Sequence, residues 1–381
     1  MSHKPTPLSA YIHIPFCKQK CNYCDFLSFP NRESLFLSYK NALLKEIENC
    51  PELENSCIET VFFGGGTPTL LPAEFLCEIL EAVQKRNVRS DAEITVECNP
   101  EAITHGYLSA LKAAGVNRLS IGLQSSHNRL LAKLGRIHTV EKFEGVYNEA
   151  VRCGFSNINF DIMFALPGQR VEDFRQTLDY IVSLNPAHIS AYGLIIEEGT
   201  PFFEAAKSAE LALPDEELDR EMYYLANNVL NCSGYKRYEI SNFAKAGFES
   251  EHNKAYWTYK DYIGIGLGAH SFVSGKRFNN LTELDKYIEA KGDIQLIRQG
   301  FLDIGLTEAM SEFMFLGLRM SEGVCCEAFK KKFGVNIFDV FGDEIRNFEK
   351  ICLIKCNKSR IFLTEKGVDL SNVVFTAFIR I

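Results

Sequence analysis

Three cysteines near the start of the chain are the side chains whose type and spacing could do chemistry. Cys17, Cys21 and Cys24 lie in the segment YIHIPFCKQKCNYCDF and follow an apolar, strand-like stretch. A cubane iron–sulfur cluster is normally held by four cysteine thiolates, so three cysteines spaced C-x3-C-x2-C leave one iron free to bind a small molecule. The spacing therefore indicates a 4Fe-4S cluster that takes part in chemistry.

Two other uses of clustered cysteines stay open at this point. A structural zinc site needs a closed tetrahedron, typically from two separated ligand pairs, and the sequence has no second C-x2-C. A disulfide framework fits poorly, because the other cysteines are scattered through apolar or helical patterns and resemble reduced core thiols. A zinc-stabilised binding protein remains a rival to an iron–sulfur protein.

Length and composition set the broad class of protein. A chain of 381 residues, almost half of them apolar, can bury a large core and is expected to divide into one large and one smaller domain. No apolar stretch has the length of a membrane span, so we expect a cytoplasmic protein. The net charge of −8, without a basic block, argues against a nucleic-acid partner.

The segments that must position the cysteines alternate between strand-like and helical patterns. Apolar runs of strand length end in turn signals at Tyr11–Phe16, Thr60–Gly64, Ile94–Cys98, Arg118–Gln124, Ile158–Phe164 and His188–Ile196. Helical periodicity fills the stretches between them. This order predicts an α/β fold with parallel strands in a curved sheet or partial barrel, whose active site gathers at the carboxyl ends of the strands.

The pattern changes after about Glu197. A helix is predicted from Glu216 to Asn231, followed by an aromatic and glycine-rich segment, and then by short helices with one apolar strand, RIFLT. We therefore predict a core over 1–235, an extension over 236–300 and a smaller C-terminal α/β module, winged-helix-like, over 301–381. Acidic and basic side chains are mixed in this module, which argues against binding to a DNA groove.

Glycine and polar residues stand where the predicted strands end. A glycine run at 64–66 follows the second strand and lets the backbone approach a ligand. Glu97, Gln124 and Asp161 close the third, fourth and fifth strands. Each of them is well placed to hydrogen-bond ribose hydroxyls or an amino group, and each could equally cap the helix that follows.

The cysteine loop, followed by FFGGGTPT, resembles the signature of the radical S-adenosylmethionine (SAM) superfamily, and the TP extension is typical of the oxygen-independent coproporphyrinogen III oxidase-like family. The resemblance continues through DIMFALPGQ, IIEEGTPF, YEISNFAKAG, YIGIGLGAHS and SEFMFLGLR. It implies a partial (β/α)6 radical-SAM barrel in which the three cysteines hold the cluster and SAM chelates the open iron. It also implies SAM contacts at Tyr11, Tyr23, Gly65, Gly66, Thr67, Glu97, Gln124, Arg136, Asp161 and Gly193.

Within this family the chain most resembles the HemW group of haem-binding relatives. Its segment HNKAYW matches the H-N-x-x-Y-W motif of that group, which implies haem contacts at His252, Tyr256 and Trp257. His252 is the expected axial ligand and His270 the alternative. Two features depart from the oxidase: Phe26 stands where the oxidase has a further cysteine, and only sixteen residues precede the first cysteine.

The resemblance implies a haem chaperone that binds a 4Fe-4S cluster, SAM and haem, and that delivers haem to apo-haemoproteins, including respiratory, membrane-bound ones. Such a partner would bring a cytoplasmic protein to the membrane surface. The rival function is an oxygen-independent coproporphyrinogen III oxidase, or another oxidoreductase that modifies a tetrapyrrole. Both functions share every cluster and SAM residue, and the sequence leaves the oligomeric state open.

Overall fold

A computed structural model of the chain describes residues 5–101 and 103–380. Within them the strands are β1 (Thr6–Ile14), β2 (Phe16–Cys17), β3 (Phe29–Pro30), β4 (Ser56–Gly65), β5 (Val88–Cys98), β6 (Arg118–Gln124), β7 (Asn157–Phe164), β8 (His188–Gly193), β9 (Lys236–Arg237), β10 (Asn242–Ala244), β11 (Tyr262–Ile265), β12 (His270–Val273), β13 (Lys276–Asn280), β14 (Arg298–Asp303), β15 (Val324–Cys325), β16 (Ile354–Cys356) and β17 (Arg360–Leu363). The helices are α1 (Phe36–Asn49), α2 (Pro51–Glu54), α3 (Ala73–Gln84), α4 (His105–Ala113), α5 (Asn128–Lys133), α6 (Val140–Arg152), α7 (Val171–Leu184), α8 (Pro201–Lys207), α9 (Glu216–Cys232), α10 (Glu251–Trp257), α11 (Leu284–Glu289), α12 (Ile294–Ile297), α13 (Leu306–Gly317), α14 (Cys326–Phe333), α15 (Ile337–Lys350), α16 (Glu365–Asp369) and α17 (Ser371–Ala377). Over these described residues, no helix has the length and apolarity that a bilayer crossing demands.

Twelve of the strands form one sheet, in the order β14-β13-β12-β11-β1-β4-β5-β6-β7-β8-β10-β9. Strands β1 and β4 to β8 follow one another along the chain and pair in parallel. Parallel neighbours need crossover connections, and the helices between these strands provide them. The predicted α/β fold, a partial (β/α)6 barrel with a smaller C-terminal module, is confirmed.

Strand β6 shows why these segments become barrel strands. It spans the predicted Arg118–Gln124, all of it buried, and its side chains alternate between the two faces. The apolar residues at 119, 121 and 123 pack in the main core with α6, whereas Ser120, Gly122 and Gln124 line a cavity inside the barrel. One face of the strand therefore stabilises the fold and the other faces the candidate site.

Residues 236–300 share the sheet and the core of residues 1–235. Strands β9 and β10 pair antiparallel beside β8, while β11 lies parallel to β1 and leads into antiparallel β12 to β14. Ile263, Ile265 and Tyr287 belong to the same buried cluster as the β1 side chains. The predicted boundaries at 235 and 300 mark changes in sequence pattern, and as domain boundaries they stay predictions.

The C-terminal module has its own sheet and its own core. Its elements run α13, β15, α14, α15, β16, β17, which is the helix–strand–helix–helix–strand–strand order of a winged helix, and its sheet order is β15-β17-β16. Phe329, Phe341 and Ile361 lie in a buried cluster separate from that of the barrel. An ion pair between Arg277 and Glu312, with 2.5 Å between Nη1 and Oε1, connects the module to the sheet.

Candidate functional site

A cavity of about 370 Å³ opens at the carboxyl ends of the barrel strands. The predicted residues that line it are Cys17, Cys21, Tyr23, Cys24, Gly65, Gly66, Thr67, Glu97, Gln124, Arg136 and Asp161. They come from the cysteine loop, from the ends of β4, β5 and β6, from the loop after α5, and from β7. The fold thus brings the cysteines and most of the predicted SAM residues around one space.

The cysteine loop is fixed to one wall of this cavity. The backbone N–H and the side-chain amide of Asn22 donate to two carbonyls at the C-terminal end of α5, each at 2.9 Å. Cys17 is buried, with Sγ 3.6 Å from Thr67 Oγ1, whereas Cys21 and Cys24 are half-buried. The loop is therefore held from outside while its sulfurs face the cavity.

The three sulfurs do not surround a single metal ion. Across residues 5–101 and 103–380, no three His, Cys, Asp or Glu side chains are arranged to hold one ion. A cubane makes a different demand, because each cysteine ligates a separate iron. Burial raises the pKa of Cys17, and it raises the pKa of Cys24 to about 11, so cluster assembly must displace thiol protons.

Two buried polar atoms at the cavity have no hydrogen-bond partner among the described residues. They are Arg136 Nε and Asn99 Oδ1, and both residues line the cavity. A buried polar group left unpaired costs about 1–3 kcal/mol, so a ligand that pairs with both is favoured. One donor and one acceptor suit a molecule that carries a carboxylate and an amino group, as SAM does.

The glycine turn after β4 lies directly against the cysteine strand. Gly66 N–H donates to the last carbonyl of β1 at 2.8 Å, and Thr67 N–H donates to Phe16 O at 2.7 Å. A Cβ on Gly66 would lie 2.6 Å from that Phe16 oxygen, closer than real Cβ atoms approach. Gly65 has φ +110°, and its N–H donates to Glu97 Oε2 at 3.2 Å. Glycine is therefore required here by close packing, and the turn carries Thr67 to the cavity wall.

Two carboxylates, Glu97 and Asp161, face the cavity from β5 and β7. Burial, and then the charge of Asp161, raise the pKa of Glu97 to about 8. Burial also raises the pKa of Asp161, but hydrogen bonds from Asn159 Nδ2 (2.8 Å) and Ser120 Oγ (3.0 Å) oppose that shift. At neutral pH Glu97 is thus mostly a neutral acid that can donate, while Asp161 accepts hydrogen bonds from Asn159 and Ser120.

Gln124 and Arg136 reach the cavity through unusual local geometry. Gln124 has a left-handed backbone (φ +68°) at the point where the β6–β7 register shifts. Such a conformation costs about 1–3 kcal/mol. Arg136 Nη2 donates to Gly122 O at 3.0 Å, and its Nη1 lies 3.9 Å from Cys21 Sγ. The guanidinium therefore stands as a cation between β6 and the cysteine loop.

Two predicted SAM residues lie outside the cavity lining. Tyr11 is on β1, with its hydroxyl 3.0 Å from His13 Nδ1 and its ring 6.2 Å from that of Phe62. Gly193 ends β8, where an added Cβ would lie 3.1 Å from the Phe164 ring. Tyr23 lines the cavity, and burial raises the pKa of its phenol. Roles for these three residues in SAM binding stay predictions.

The HNKAYW motif lies on α10, outside the cavity lining. His252 is buried, with Nδ1 2.7 Å from Thr60 Oγ1 and Nε2 3.0 Å from Tyr256 OH, and burial lowers its pKa to about 3. Trp257 packs against the guanidinium of Arg319, whose Cζ lies 4.3 Å from the centre of the Trp257 ring. This contact joins the barrel to the C-terminal module. Both nitrogens of His252 are therefore engaged, and the haem contacts of this motif stay predictions.

Several lining residues were missed by the sequence predictions. They are Gln19, Lys20, Phe26, Pro68, Cys98, Asn99, Ser120, Gly122, Met163 and Tyr192. Some had a usable signal, because side chains two apart on a strand share a face. Ser120 and Gly122 precede Gln124 in this way, and Met163 follows Asp161. Asn99 and Tyr192 lie where their strands end, and no periodicity marks them.

The chain matches two family models and resembles solved structures. The model of the Radical SAM superfamily matches residues 11–181, and that of the HemN C-terminal domain matches residues 304–370. The structure described as coproporphyrinogen III oxidase (HemN) from Escherichia coli, a radical SAM enzyme, has a TM-score of 0.85, covering 98% of this chain and 90% of that chain at 23% sequence identity. That identity shows the fold alone. Fold and site together are those of a radical SAM protein, a class whose cofactors are a 4Fe-4S cluster and SAM.

Curated relatives match the chain over most of its length, as two of them illustrate. "Heme chaperone HemW" of Bacillus subtilis is 37% identical over 374 residues, covering 97% of this chain and 99% of the relative. The protein of the same name from Lactococcus lactis is 35% identical over 374 residues, covering 98% of this chain and 97% of the relative. The chain belongs to the HemW family, as the sequence resemblance predicts.

Proposed function

We propose that this protein is a radical-SAM-type haem chaperone, which binds a 4Fe-4S cluster, SAM and haem and delivers haem to apo-haemoproteins. The observation that carries the proposal is the full-length match to relatives named heme chaperone, at 37% identity over 97% of this chain. The cavity supports it, since the cysteine loop and the polar strand ends meet around one space. We further propose that the recipients include respiratory, membrane-bound proteins.

In this proposal Cys17, Cys21 and Cys24 hold the cluster, which when bound supplies one electron to the sulfonium of SAM. The glycine turn with Thr67 lets the backbone come close to the amino-acid end of the ligand. The unpaired Nε–H of Arg136 is free to donate to a carboxylate. The chain thus holds the polar end of SAM against the cysteine loop by close packing and charge.

The adenosine end of SAM contacts residues at the carboxyl ends of the barrel strands. Gln124 and Asp161 present an amide and a carboxylate from β6 and β7 to ribose hydroxyls. Glu97, whose pKa is raised to about 8, donates as a neutral acid to an acceptor of the ligand at neutral pH. Tyr11, Tyr23 and Gly193 complete the proposed set; Tyr23 lines the cavity, whereas Tyr11 and Gly193 lie outside its lining.

Haem binding through His252 requires a local change in the described structure. A ligating imidazole must offer a free nitrogen, and His252 Nε2 lies 3.0 Å from Tyr256 OH. Release of that bond would free Nε2, with Tyr256 and Trp257 as the neighbouring aromatic surfaces. His270, at the start of β12, is exposed and is the alternative ligand.

The rival function is coproporphyrinogen oxidation. The solved oxidase shares the fold at 23% identity. An identity this low says nothing about the substrate of this chain. Phe26, 61% exposed at the cavity, stands where the sequence resemblance expects a cysteine in the oxidase. A chaperone and an oxidase would use the same cysteines and the same SAM residues. An assay of coproporphyrinogen oxidation therefore distinguishes the two functions.

Three assays on anaerobically reconstituted protein test the proposal. With SAM, dithionite and coproporphyrinogen, we expect no protoporphyrinogen, and its formation would refute the chaperone function. Haem-loaded protein should transfer haem to an apo-haemoprotein, measured by absorbance of the product. Haem titration of His252→Ala, His270→Ala and Tyr256→Phe identifies the ligand. If His252 ligates through Nε2, His252→Ala weakens binding while Tyr256→Phe strengthens it, because the competing hydroxyl is gone.

A further inference from the structure

A line of hydrogen bonds runs from the start of α10 to the cavity carboxylate Asp161. The backbone nitrogen of Ser250 lies 3.2 Å from Tyr238 OH, and that hydroxyl lies 2.8 Å from His188 Nε2. His188 Nδ1 is 2.6 Å from Asn159 Oδ1, and Asn159 Nδ2 is 2.8 Å from Asp161 Oδ1. Four links therefore join the helix that carries HNKAYW to the cavity.

The two ends of this line fix the direction of every donor in it. A backbone N–H can only donate, and Asp161 at the other end accepts from both Asn159 Nδ2 and Ser120 Oγ. Asn159 must then turn its NH2 toward Asp161 and its oxygen toward His188, whose Nδ1 must carry the hydrogen. Burial lowers the pKa of His188 well below its usual range, so the ring is neutral and Nε2 accepts from Tyr238. All four donors point toward the carboxylate.

Asn159 takes part in four side-chain hydrogen bonds of this arrangement. Its Nδ2 also donates to Ser120 Oγ at 2.7 Å, and its Oδ1 also accepts from Ser190 Oγ at 3.1 Å. Asn159 is 1% exposed and His188 is fully buried. Hydrogen bonds in series at low dielectric polarise one another, and a broken link would leave a buried polar group unpaired.

We propose that Asn159 and His188 are positioning residues that fix Asp161 as the acceptor for a vicinal diol of the ligand in the cavity. Asp161 Oδ1 accepts a hydrogen bond from Asn159 Nδ2, and Asp161 Oδ2 accepts one from Ser120 Oγ at 3.0 Å. Each oxygen keeps lone-pair capacity for one further donor, which matches two adjacent ribose hydroxyls. The inference rests on the proposed function, because it takes the ligand to be an adenosyl compound such as SAM.

The test compares ligands with and without the hydroxyls. S-adenosylhomocysteine and its 2′-deoxy and 3′-deoxy analogues are titrated calorimetrically into the cluster-loaded full chain. Wild type should bind the parent ligand more tightly than the analogues. His188→Leu should lose about tenfold in affinity for the parent ligand and much less for the analogues, because the Asp161 carboxylate is no longer oriented. His188→Asn, which restores a donor at the Nδ1 position, should recover the preference.

A matched pair of tyrosines controls for general damage to the core. Tyr238→Phe removes the hydroxyl inside the line and should reduce the preference for the parent ligand. Tyr235→Phe removes another buried hydroxyl, which donates to Pro186 O at 2.9 Å and has no link to the cavity. It should bind all three ligands as wild type does. Equal effects from the two variants would overturn the inference.

Failure of this inference can be told apart from failure of the proposed function. A His188→Leu protein with the wild-type preference overturns the positioning role and leaves SAM binding intact. A wild-type protein that binds none of the three ligands refutes the proposed function and, with it, the diol role of Asp161. Nitrogen-15 NMR of the ligand-free chain should find His188 protonated at Nδ1. Protonation at Nε2 would overturn the line of donors whatever the ligand.

Discussion

Replacement of Gly66 by alanine tests how tightly the glycine turn holds the cysteine strand. The added Cβ would lie 2.6 Å from Phe16 O and 2.9 Å from Phe16 N, and the same carbonyl accepts from Thr67 N–H at 2.7 Å. The strand must therefore move. Overpacking of this kind costs about 1–3 kcal/mol, against about 5–15 kcal/mol for the stability of a typical protein. Because Phe16 precedes Cys17, the same movement displaces a cluster ligand.

The matched control for Gly66→Ala is Gly145→Ala in α6, where an added Cβ meets nothing within 4 Å. Alanine there should stabilise the protein by about 0.5–1 kcal/mol, the usual cost of glycine inside a helix. Urea unfolding of cluster-free protein, followed by circular dichroism, measures both changes, and iron and sulfide content after anaerobic reconstitution reports on the loop. A Gly66→Ala protein that unfolds at the wild-type urea concentration and takes up iron normally would refute the reasoning.

Glu97 should make the free energy of unfolding of the ligand-free protein fall as pH rises. Its folded-state pKa of about 8 exceeds the unfolded value of about 4.3. Between these two pH values the folded state binds one proton more than the unfolded state, so a rise in pH destabilises it. Glu97→Gln should flatten that decline in urea titrations at pH 5 and pH 8, and an unchanged slope would contradict the assignment. Trp257→Leu removes the contact with Arg319 at 4.3 Å, worth about 0.5–2 kcal/mol, and should speed proteolysis near residue 300; wild-type cleavage rates would count against a role at the junction. Cys21→Ser should abolish cluster assembly while Cys232→Ser, an exposed cysteine elsewhere, keeps the wild-type iron content, and equal iron in both would exclude the loop as the cluster site.

Much of the site could be predicted because its signals are local in sequence. The cysteine spacing, the glycine run and the polar residue at each strand end are short patterns, and parallel strands bring their carboxyl ends to one edge of the sheet. Glu97, Gln124 and Asp161 therefore meet at the cavity as expected. The fold class follows from the same alternation of strands and helices.

The remaining features depend on contacts between distant residues. Thr60 and His252 are 192 residues apart, and no local pattern indicates that the imidazole is buried between a threonine and a tyrosine. The parallel pairing of β11 with β1 likewise adds a seventh parallel strand, which no local sequence pattern predicts. His188, Asn159 and Tyr238 look like ordinary strand or loop residues until the fold places them in one line.

The central claim is a 4Fe-4S cluster with one open iron, held by Cys17, Cys21 and Cys24 beside a SAM cavity. Electron paramagnetic resonance of the reduced, anaerobically reconstituted protein tests it most directly, with and without SAM. A cluster signal whose shape changes on addition of SAM is the predicted result, because the ligand enters the coordination sphere of the open iron. Protein that carries zinc without sulfide, or a cluster signal that saturating SAM leaves unaltered, would contradict the claim.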